Sequence, residues 1–272
     1  MIRFPFLNVA LICLLHNSGC GELDRFVEKA LDKALGPESD SWPEQTVSDD
    51  VKAILDRGLE IARKRQSLLL VAEVRATEEG QRGRATVRIQ WRRPDWLRID
   101  IDVEDEENGK PIKERQTFLH PNNNERWIVY SDAKQLSISE WSPERGRHEL
   151  RSEPLPWLFP DRFDLRRRRW KIERAEPAKE GMHLLLKAAN KDLPLEDAEV
   201  WLDPKSGMPR RYLEKVSSSG GLDIRVLRIE ENAQIDDSVF KIAMPDPNKG
   251  WKIDRTSHET PGAKQTDPAT KK

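Results

Sequence analysis

The sequence predicts a mainly β (α+β) domain built on one wide antiparallel sheet, apolar on one face and wet on the other. Two observations predict it. From Leu68 onward hydrophobic residues recur with a period of two, as in "ATVRIQW" (85–91) and "WLRIDIDV" (96–103). Turn signals also separate successive segments, among them "PNNNE", "PAKEG", "DPKSG" and "SSSGG". A sheet of so many strands must curl or split to bury its apolar face.

The first nineteen residues have the layout of an export signal: Arg3, an apolar run over 4–15, then small residues before Cys20. One interpretation is a cleaved signal with an incidental cysteine. The other is a bacterial lipoprotein signal, which Ser18-Gly19-Cys20 resembles at its last three positions, although Asn17 stands where that pattern prefers Leu. Cleavage would leave Cys20 as the only thiol, without a disulfide partner. We therefore predict that Cys20 is lipidated.

Lipidation of Cys20 implies an exported, membrane-anchored lipoprotein that faces the periplasm. Gly21 follows the lipidated residue, and no Asp stands there as an inner-membrane retention signal, which favours the outer membrane. Residues 20–36 predict an amphipathic helix that lies on the membrane or packs on the domain. Residues 37–48 read as a linker, 49–254 as the main domain and 255–272 as a disordered polar tail.

The main domain opens with a helix and continues as strands. Ser48 is a candidate N-cap, and the buried stripe of the helix is predicted at Val51, Ile54, Leu55, Leu59 and Ala62. In the next strands, Val87, Ile89, Trp91, Leu97, Ile99, Ile101 and Val103 share the apolar side. Further strands are predicted at 116–120, 125–130, 135–140, 169–174, 182–187, 198–203, 210–216, 221–230 and 240–244. The apolar segment "PLPWLF" (154–159) interrupts them.

Composition and motifs argue against several classes of function. Lys and Arg total 47 against 48 Asp and Glu, so we expect no nucleic-acid partner. No nucleotide-binding, metal-ligand or nucleophile motif appears, which predicts a non-enzymatic protein without cofactor or metal. Asp100 and Asp102 share a strand face and suit either paired-carboxylate chemistry or plain solvation, which we favour. "RRRR" (166–169) suits either anionic lipid headgroups or the charged start of a strand.

Five segments in order resemble the LolA-like carriers of outer-membrane lipoproteins. They are "LLLVAEVRA", the strand–Arg-Pro–strand corner in "GRATVRIQWRRPDWLRIDI", "ERQTFLHPNNNERWIVYSDAKQL", "AEVWLDPKSGMPRRYLEK" and "LRIEENAQIDDSVFKIAMPDPNKGWKI". In the last, Asn232, Ile235, Phe240 and Pro245 keep the family's spacing. "PNNNE" replaces the family's "DGK" turn.

The resemblance implies a strongly curved antiparallel sheet forming a half-open barrel, covered by the leading helix and a short lid segment. In the family this concavity takes up acyl chains, and the resemblance implies the following roles for residues of this sequence. We expect acyl chains of lipids or lipoproteins to contact the predicted lining residues Val87, Ile89, Trp91, Leu97, Ile99, Ile101, Trp127 and Val129. The lid and gating residues would be Arg93, Trp157, Leu158 and Phe159.

Arg93 and the concavity each leave two interpretations. Arg93 either ties to the leading helix or to "PLPWLF" through several donors, or it turns out to water. The concavity is either an open lipid site used in lipoprotein sorting or transport, or a closed core in an envelope sensor or structural interaction domain. The protein is expected to be a monomer.

Overall fold

The computed structural model describes residues 48–78, 81–93, 96–107, 110–122, 125–140, 170–188, 195–216 and 220–256. Several predictions fall on segments outside these ranges. They are the signal, Cys20, the amphipathic helix, "PLPWLF" with Trp157, Leu158 and Phe159, "RRRR", and the tail beyond Thr256.

In the described ranges, one helix, α1 (Asp49–Lys64), precedes twelve strands. Two short 3-10 helices, Asp237–Phe240 and Pro247–Lys249, lie near the C-terminal end. The strands are β1 (Ser67–Glu78), β2 (Gln81–Arg92), β3 (Trp96–Glu107), β4 (Lys110–Asn122), β5 (Glu125–Tyr130), β6 (Gln135–Glu140), β7 (Trp170–Ala178), β8 (Gly181–Ala188), β9 (Leu195–Leu202), β10 (Pro209–Val216), β11 (Gly220–Glu231) and β12 (Lys252–Thr256).

The strands form one curved, unclosed sheet in the order β12-β6-β5-β4-β3-β2-β1-β11-β10-β9-β8-β7. The predicted fold class is confirmed: the protein is mainly β, with a half-open barrel and a leading helix. One pair departs from the predicted antiparallel pattern, because β12 runs parallel to β6. The chain reaches that edge by crossing one face of the sheet after β11, so β12 arrives in the direction of β6.

The predicted strand at 240–244 is wrong. Phe240 ends the 3-10 helix Asp237–Phe240, which begins where the Asp236 carboxylate accepts a hydrogen bond from the Ser238 N–H. Phe240 and Ile242 pack on the sheet, but residues 241–246 pair with no strand, and Met244 is 44% exposed. Strand β12 was not predicted, and it includes Arg255, which the sequence assigned to the tail.

The two faces of the sheet carry separate apolar clusters. On the first, which we call the helix-covered face, strand residues pack with Val51, Ile54 and Leu55 of α1. On the second, the strap-covered face, residues of β4, β5 and β6 pack with Ile235 and Phe240. We call residues 232–251, which join β11 to β12 across this face, the C-terminal strap.

Candidate binding site on the helix-covered face

Strands β2 and β3 bring six predicted lining residues together on the helix-covered face. The register pairs Val87 with Ile101, Ile89 with Ile99, and Trp91 with Leu97. Trp91 is half-buried against the same cluster, and the other five are at most 6% exposed. Strict alternation in both strands explains this agreement, because paired residues of neighbouring strands point to the same side of a sheet. Their contact with lipid stays a prediction.

Trp127 and Val129 do not lie with these six residues. Across the β3–β4–β5 register, Ile99 pairs with Phe118 and Phe118 with Ile128, which puts Ile128 on the helix-covered face. Its neighbours Trp127 and Val129 therefore point to the other side, where they join the cluster beneath the strap. Sequence reasoning missed Ile128 and Phe118 because "WIV" is apolar at three successive positions. Such a run does not show whether the middle residue or its two neighbours point toward the helix.

Helix α1 lies over this face with the stripe that the sequence predicted. Val51, Ile54, Leu55, Leu59 and Ala62 are buried. Asp49 and Asp50 lie in the first turn, where a helix N-terminus favours negative charge. Ser48 occupies the N-cap position, but its side chain makes no capping hydrogen bond. The helix is thus an amphipathic cover whose apolar stripe completes the cluster.

Arg93 fastens the C-terminal end of α1. Its Nε donates to the carbonyl oxygen of Arg65 at 2.7 Å, and its Nη2 donates to that of Arg63 at 2.7 Å. Its backbone N–H donates to the carbonyl of Gln66 at 2.9 Å. The last carbonyls of a helix lack intrahelical donors and carry partial negative charge, so a guanidinium suits them. Of the two interpretations of Arg93, contact with the leading helix is the one present; gating stays a prediction.

A second attachment is a buried arginine that sequence reasoning missed. Arg65, 1% exposed, donates through Nε and Nη2 to the two carboxylate oxygens of Glu231 at 2.5 and 2.7 Å. Its Nη2 also lies 3.6 Å from the sulfur of Met208. This forked pair joins the end of α1 to the end of β11. The partners are 166 residues apart, and no local sequence signal links them.

A third attachment seats the middle of α1 on the β9–β10 turn. Gly58 touches Gly207 so closely that a Cβ at Gly58 would lie 2.7 Å from the Gly207 carbonyl oxygen. Gly207 has φ +67°, a left-handed conformation that glycine adopts without strain. Arg57 donates to the carbonyl oxygens of Pro204 and Lys205 at 2.9 and 3.2 Å. "DPKSG" was predicted as a turn, but its contact with the helix was not.

The carboxylates singled out by sequence lie on the opposite side from α1. Asp100 accepts hydrogen bonds from Arg98 at 2.9 Å and from Thr117 Oγ1 at 2.7 Å. Asp102 accepts from Arg115 Nε at 2.6 Å, and this contact raises the pKa of Arg115 above its ordinary value. Both act as partners of arginines. Asp102 is 49% exposed, as plain solvation predicts, whereas Asp100 is 15% exposed and its carboxylate is bound by Arg98 and Thr117.

Among the residues that the structure describes, no three His, Cys, Asp or Glu side chains are grouped as metal ligands would be. In the same ranges no helix has the length and apolar character needed to cross a bilayer.

No family model and no curated protein matches the chain. The solved structures similar to it include LprF from Mycobacterium bovis, 10% identical with a TM-score of 0.38, covering 74% of this chain and 98% of that one. A LolA superfamily protein from Nitrosomonas europaea is 10% identical with a TM-score of 0.34, covering 71% and 97%. MucB in the MucA/MucB complex of Pseudomonas aeruginosa is 11% identical with a TM-score of 0.35, covering 71% and 61%.

Proposed function

We propose that this protein is a non-enzymatic, membrane-anchored lipoprotein that takes up acyl chains of lipids or lipoproteins on its helix-covered face, in lipoprotein sorting or transport. One observation carries the proposal. A continuous apolar face on an unclosed sheet lies beneath a helix whose backbone, within the described residues, continues into the sheet only at its C-terminal end. A cover with that connection can be displaced without breaking the sheet.

Uptake of an acyl chain is supported by comparing the free energy lost when α1 leaves the sheet with the free energy gained when the chain is buried there. Displacing α1 exposes four large aliphatic side chains, Val51, Ile54, Leu55 and Leu59, at a cost of roughly 6–12 kcal/mol. An acyl chain of a dozen or more methylenes gains about 10 kcal/mol on leaving water. The two terms are of similar size. A long acyl chain can therefore offset the loss of the helix contacts, whereas a shorter apolar molecule cannot.

A second candidate function is an envelope sensor or structural interaction domain with a closed core. The observation that favours it is burial: Val87, Ile89, Leu97, Ile99 and Ile101 are already at most 6% exposed. In that case the face is filled by the protein's own side chains. The two functions differ in one measurable property, which is the uptake of an apolar ligand.

The uptake test compares a change on each face of the sheet. The purified full-length protein is titrated with a fatty acid and with an apolar fluorescent dye, and bound lipid is sought by native mass spectrometry. Ile99→Phe adds bulk to the helix-covered face and is expected to weaken uptake about ten-fold, near 1.4 kcal/mol. Val129→Phe adds the same kind of bulk beneath the strap and should leave uptake unchanged. No uptake by the unaltered protein, or equal loss in both variants, supports the closed core.

The proposed anchor is Cys20, which lies outside the described residues. We propose that its thioether-linked diacylglycerol holds the monomeric domain at the periplasmic side of the outer membrane. Several acyl chains on one residue anchor a protein stably, whereas one anchors it only marginally. The test is fractionation of cells that express Cys20→Ser. The variant should leave the membrane pellet; retention there with a normally processed signal contradicts the anchor.

A further inference from the structure

Two consecutive arginines at the end of β2 bind opposite covers of the sheet. Arg93 donates to carbonyls at the end of α1, as described above. Arg92 donates instead to the strap: its Nη1 lies 3.1 Å from the carbonyl oxygen of Ile235 and 2.6 Å from a carboxylate oxygen of Asp237. Its guanidinium also lies 5.3 Å from the ring centroid of Phe240. The end of β2 is therefore in contact with both covers.

The start of β1 makes the same double contact. The N–H of Gln66 donates to Oδ1 of Asn232 at 2.8 Å, and the N–H of Asn232 donates to the carbonyl of Ser67 at 2.8 Å. The hydroxyl of Ser67 donates to the carbonyl of Ala233 at 2.6 Å. Gln66 in turn accepts from the N–H of Arg93. Gln66 and Ser67 thus bind both the first residues of the strap and the end of β2.

Asn232 takes an unusual conformation to make these bonds. Its φ is +54°, in the left-handed region, where asparagine is among the few residues with a side chain that are tolerated. Together with the Arg65–Glu231 pair immediately before it, Asn232 forms a polar junction of residues 65–67, 92–93 and 231–235. We call this set the junction.

We propose that the junction couples the position of α1 to the docking of the C-terminal strap, so that loosening either cover loosens the other. Adjacent residues of the junction bond to different covers, Arg93 to the end of α1 and Arg92, Gln66 and Ser67 to the strap, so displacing one cover frees residues next to those that hold the other. Coupling of this kind is reciprocal. Its use in regulating uptake beneath α1 rests on the function proposed above, whereas the coupling itself requires no ligand.

Hydrogen exchange of the purified full-length protein, without lipid, tests the coupling. Phe240→Leu loosens the strap at its fully buried anchor. Peptides from the strap should exchange faster, and peptides covering α1 should exchange about five- to ten-fold faster as well. His183→Ala, on β8 where His183 bonds to Glu199 and stacks on Trp201, is the control for a general loss of stability, and in it α1 and strap peptides should exchange no faster than the rest of the sheet. If Phe240→Leu does not fold, Ile242→Ala loosens the same strap at a half-buried position.

A second pair of variants assigns the effect to the junction. With Ser67→Ala and Asn232→Gly in place, the left-handed φ is retained while both side-chain hydrogen bonds are lost. Adding Phe240→Leu to that background should then change α1 exchange less than two-fold. The proposal is overturned if the strap exchanges faster in Phe240→Leu while α1 does not respond, or if α1 responds equally with and without the junction. Neither outcome depends on whether the protein binds lipid.

Discussion

The two covers of the sheet differ in how the chain holds them. The C-terminal strap is continuous with β11 at one end and with β12 at the other, so paired strands hold both of its ends. Helix α1 continues into β1 through Arg65 and Gln66, and its other end leads into residues 1–47. The strap is a fixed cover, whereas the helix is a cover with one connection to the sheet.

The side-chain contacts beneath the two covers also differ, and they too hold the strap more firmly than the helix. Phe240 of the strap is fully buried and lies 5.5 Å from the ring of Trp96, with Arg92 beside both rings. The apolar side chains that α1 contributes are aliphatic, and its specific attachments are polar or depend on two glycines. Aromatic packing contributes mainly through buried area, while exposed hydrogen bonds contribute little net free energy. The helix-covered face is therefore the face suited to open.

The largest expected effect tests the fixed cover. Phe240→Ala removes the strap's central side chain and should lower the free energy of unfolding by about 3–5 kcal/mol. Leu55→Ala, in the buried stripe of α1, should cost about 2–3 kcal/mol. Both are measured by urea denaturation. A Leu55→Ala loss as large as that of Phe240→Ala would mean that the two covers are held equally, contrary to the comparison.

The sequence predicted the buried face correctly where both strands of a neighbouring pair alternate between apolar and polar residues. Val87 to Trp91 and Leu97 to Ile101 alternate strictly, so their shared face followed from strand geometry. It failed at Trp127 and Val129 because β5 is apolar on both faces, one beneath α1 and one beneath the strap. The presence of a second apolar cover makes alternation uninformative there. Only the pairing of β3 with β4 and of β4 with β5 decides which residues of β5 point toward α1.

The attachments of α1 were predictable only in part. Contact between Arg93 and the leading helix was one of the interpretations that the sequence left open. The contacts of Arg65, Gly58 and Gly207 could not be predicted, since their partners are distant in sequence and depend on the completed fold. The strap shows the same limit: Phe240 and Ile242 alternate like a strand, but sequence alone does not show whether an extended segment pairs or packs.

The second prediction tests the contact between α1 and the β9–β10 turn. Gly207→Ala would overlap the carbonyl oxygen of Ile54 and place alanine at a positive φ, so it should cost about 3 kcal/mol. Gly250→Ala is the matched control, because Gly250 also has a positive φ but open space around its Cα. Its cost should be about 1–2 kcal/mol, from the backbone alone. Equal costs, measured by thermal and urea unfolding, would show that α1 does not press on this turn.

The third prediction concerns pH and the same turn. Burial of the Asp203 carboxyl opposes its ionisation, but hydrogen bonds from Arg210, Ser206 and Lys205 outweigh this and hold its pKa below the ordinary 3.8. A lowered folded-state pKa means that the stabilisation is complete above the unfolded-state pKa and is lost as pH falls through the folded-state pKa. Asp203→Asn should therefore cost about 1–2 kcal/mol at neutral pH.

The cost of Asp203→Asn should begin to shrink as pH falls below 3.8, where the carboxyl of the unfolded chain takes up a proton, and should be lost once pH falls through the lower folded-state pKa. Urea denaturation at several pH values measures the difference between the two proteins. Asp254→Asn, an exposed carboxylate on β12, is the control for the change of charge. A difference independent of pH would show that the turn depends on the shape of residue 203 and not on its charge.

The last variant should have the smallest effect on stability, and it tests most directly how α1 is held on the sheet. Arg93→Leu removes two hydrogen bonds to the end of α1 but keeps the backbone bond to Gln66, so it should cost only about 1 kcal/mol. The loss falls on the helix, and peptides covering α1 should exchange faster while those of the strap change less. Arg88→Leu, an exposed arginine of the same strand on the other face, should alter neither.

Arg93→Lys separates charge from geometry. Lysine keeps the favourable charge near the helix C-terminus but cannot present the forked donors that reach two carbonyls at once. If Arg93 holds the cover through its fork, Lys and Leu should both speed α1 exchange and alter the rate at which a bound fatty acid is released. If Lys behaves as Arg does, charge alone suffices and the forked contact is incidental. If Leu also leaves exchange and release unchanged, Arg93 does not hold the helix, and the polar attachment at the end of α1 is not what distinguishes the two covers.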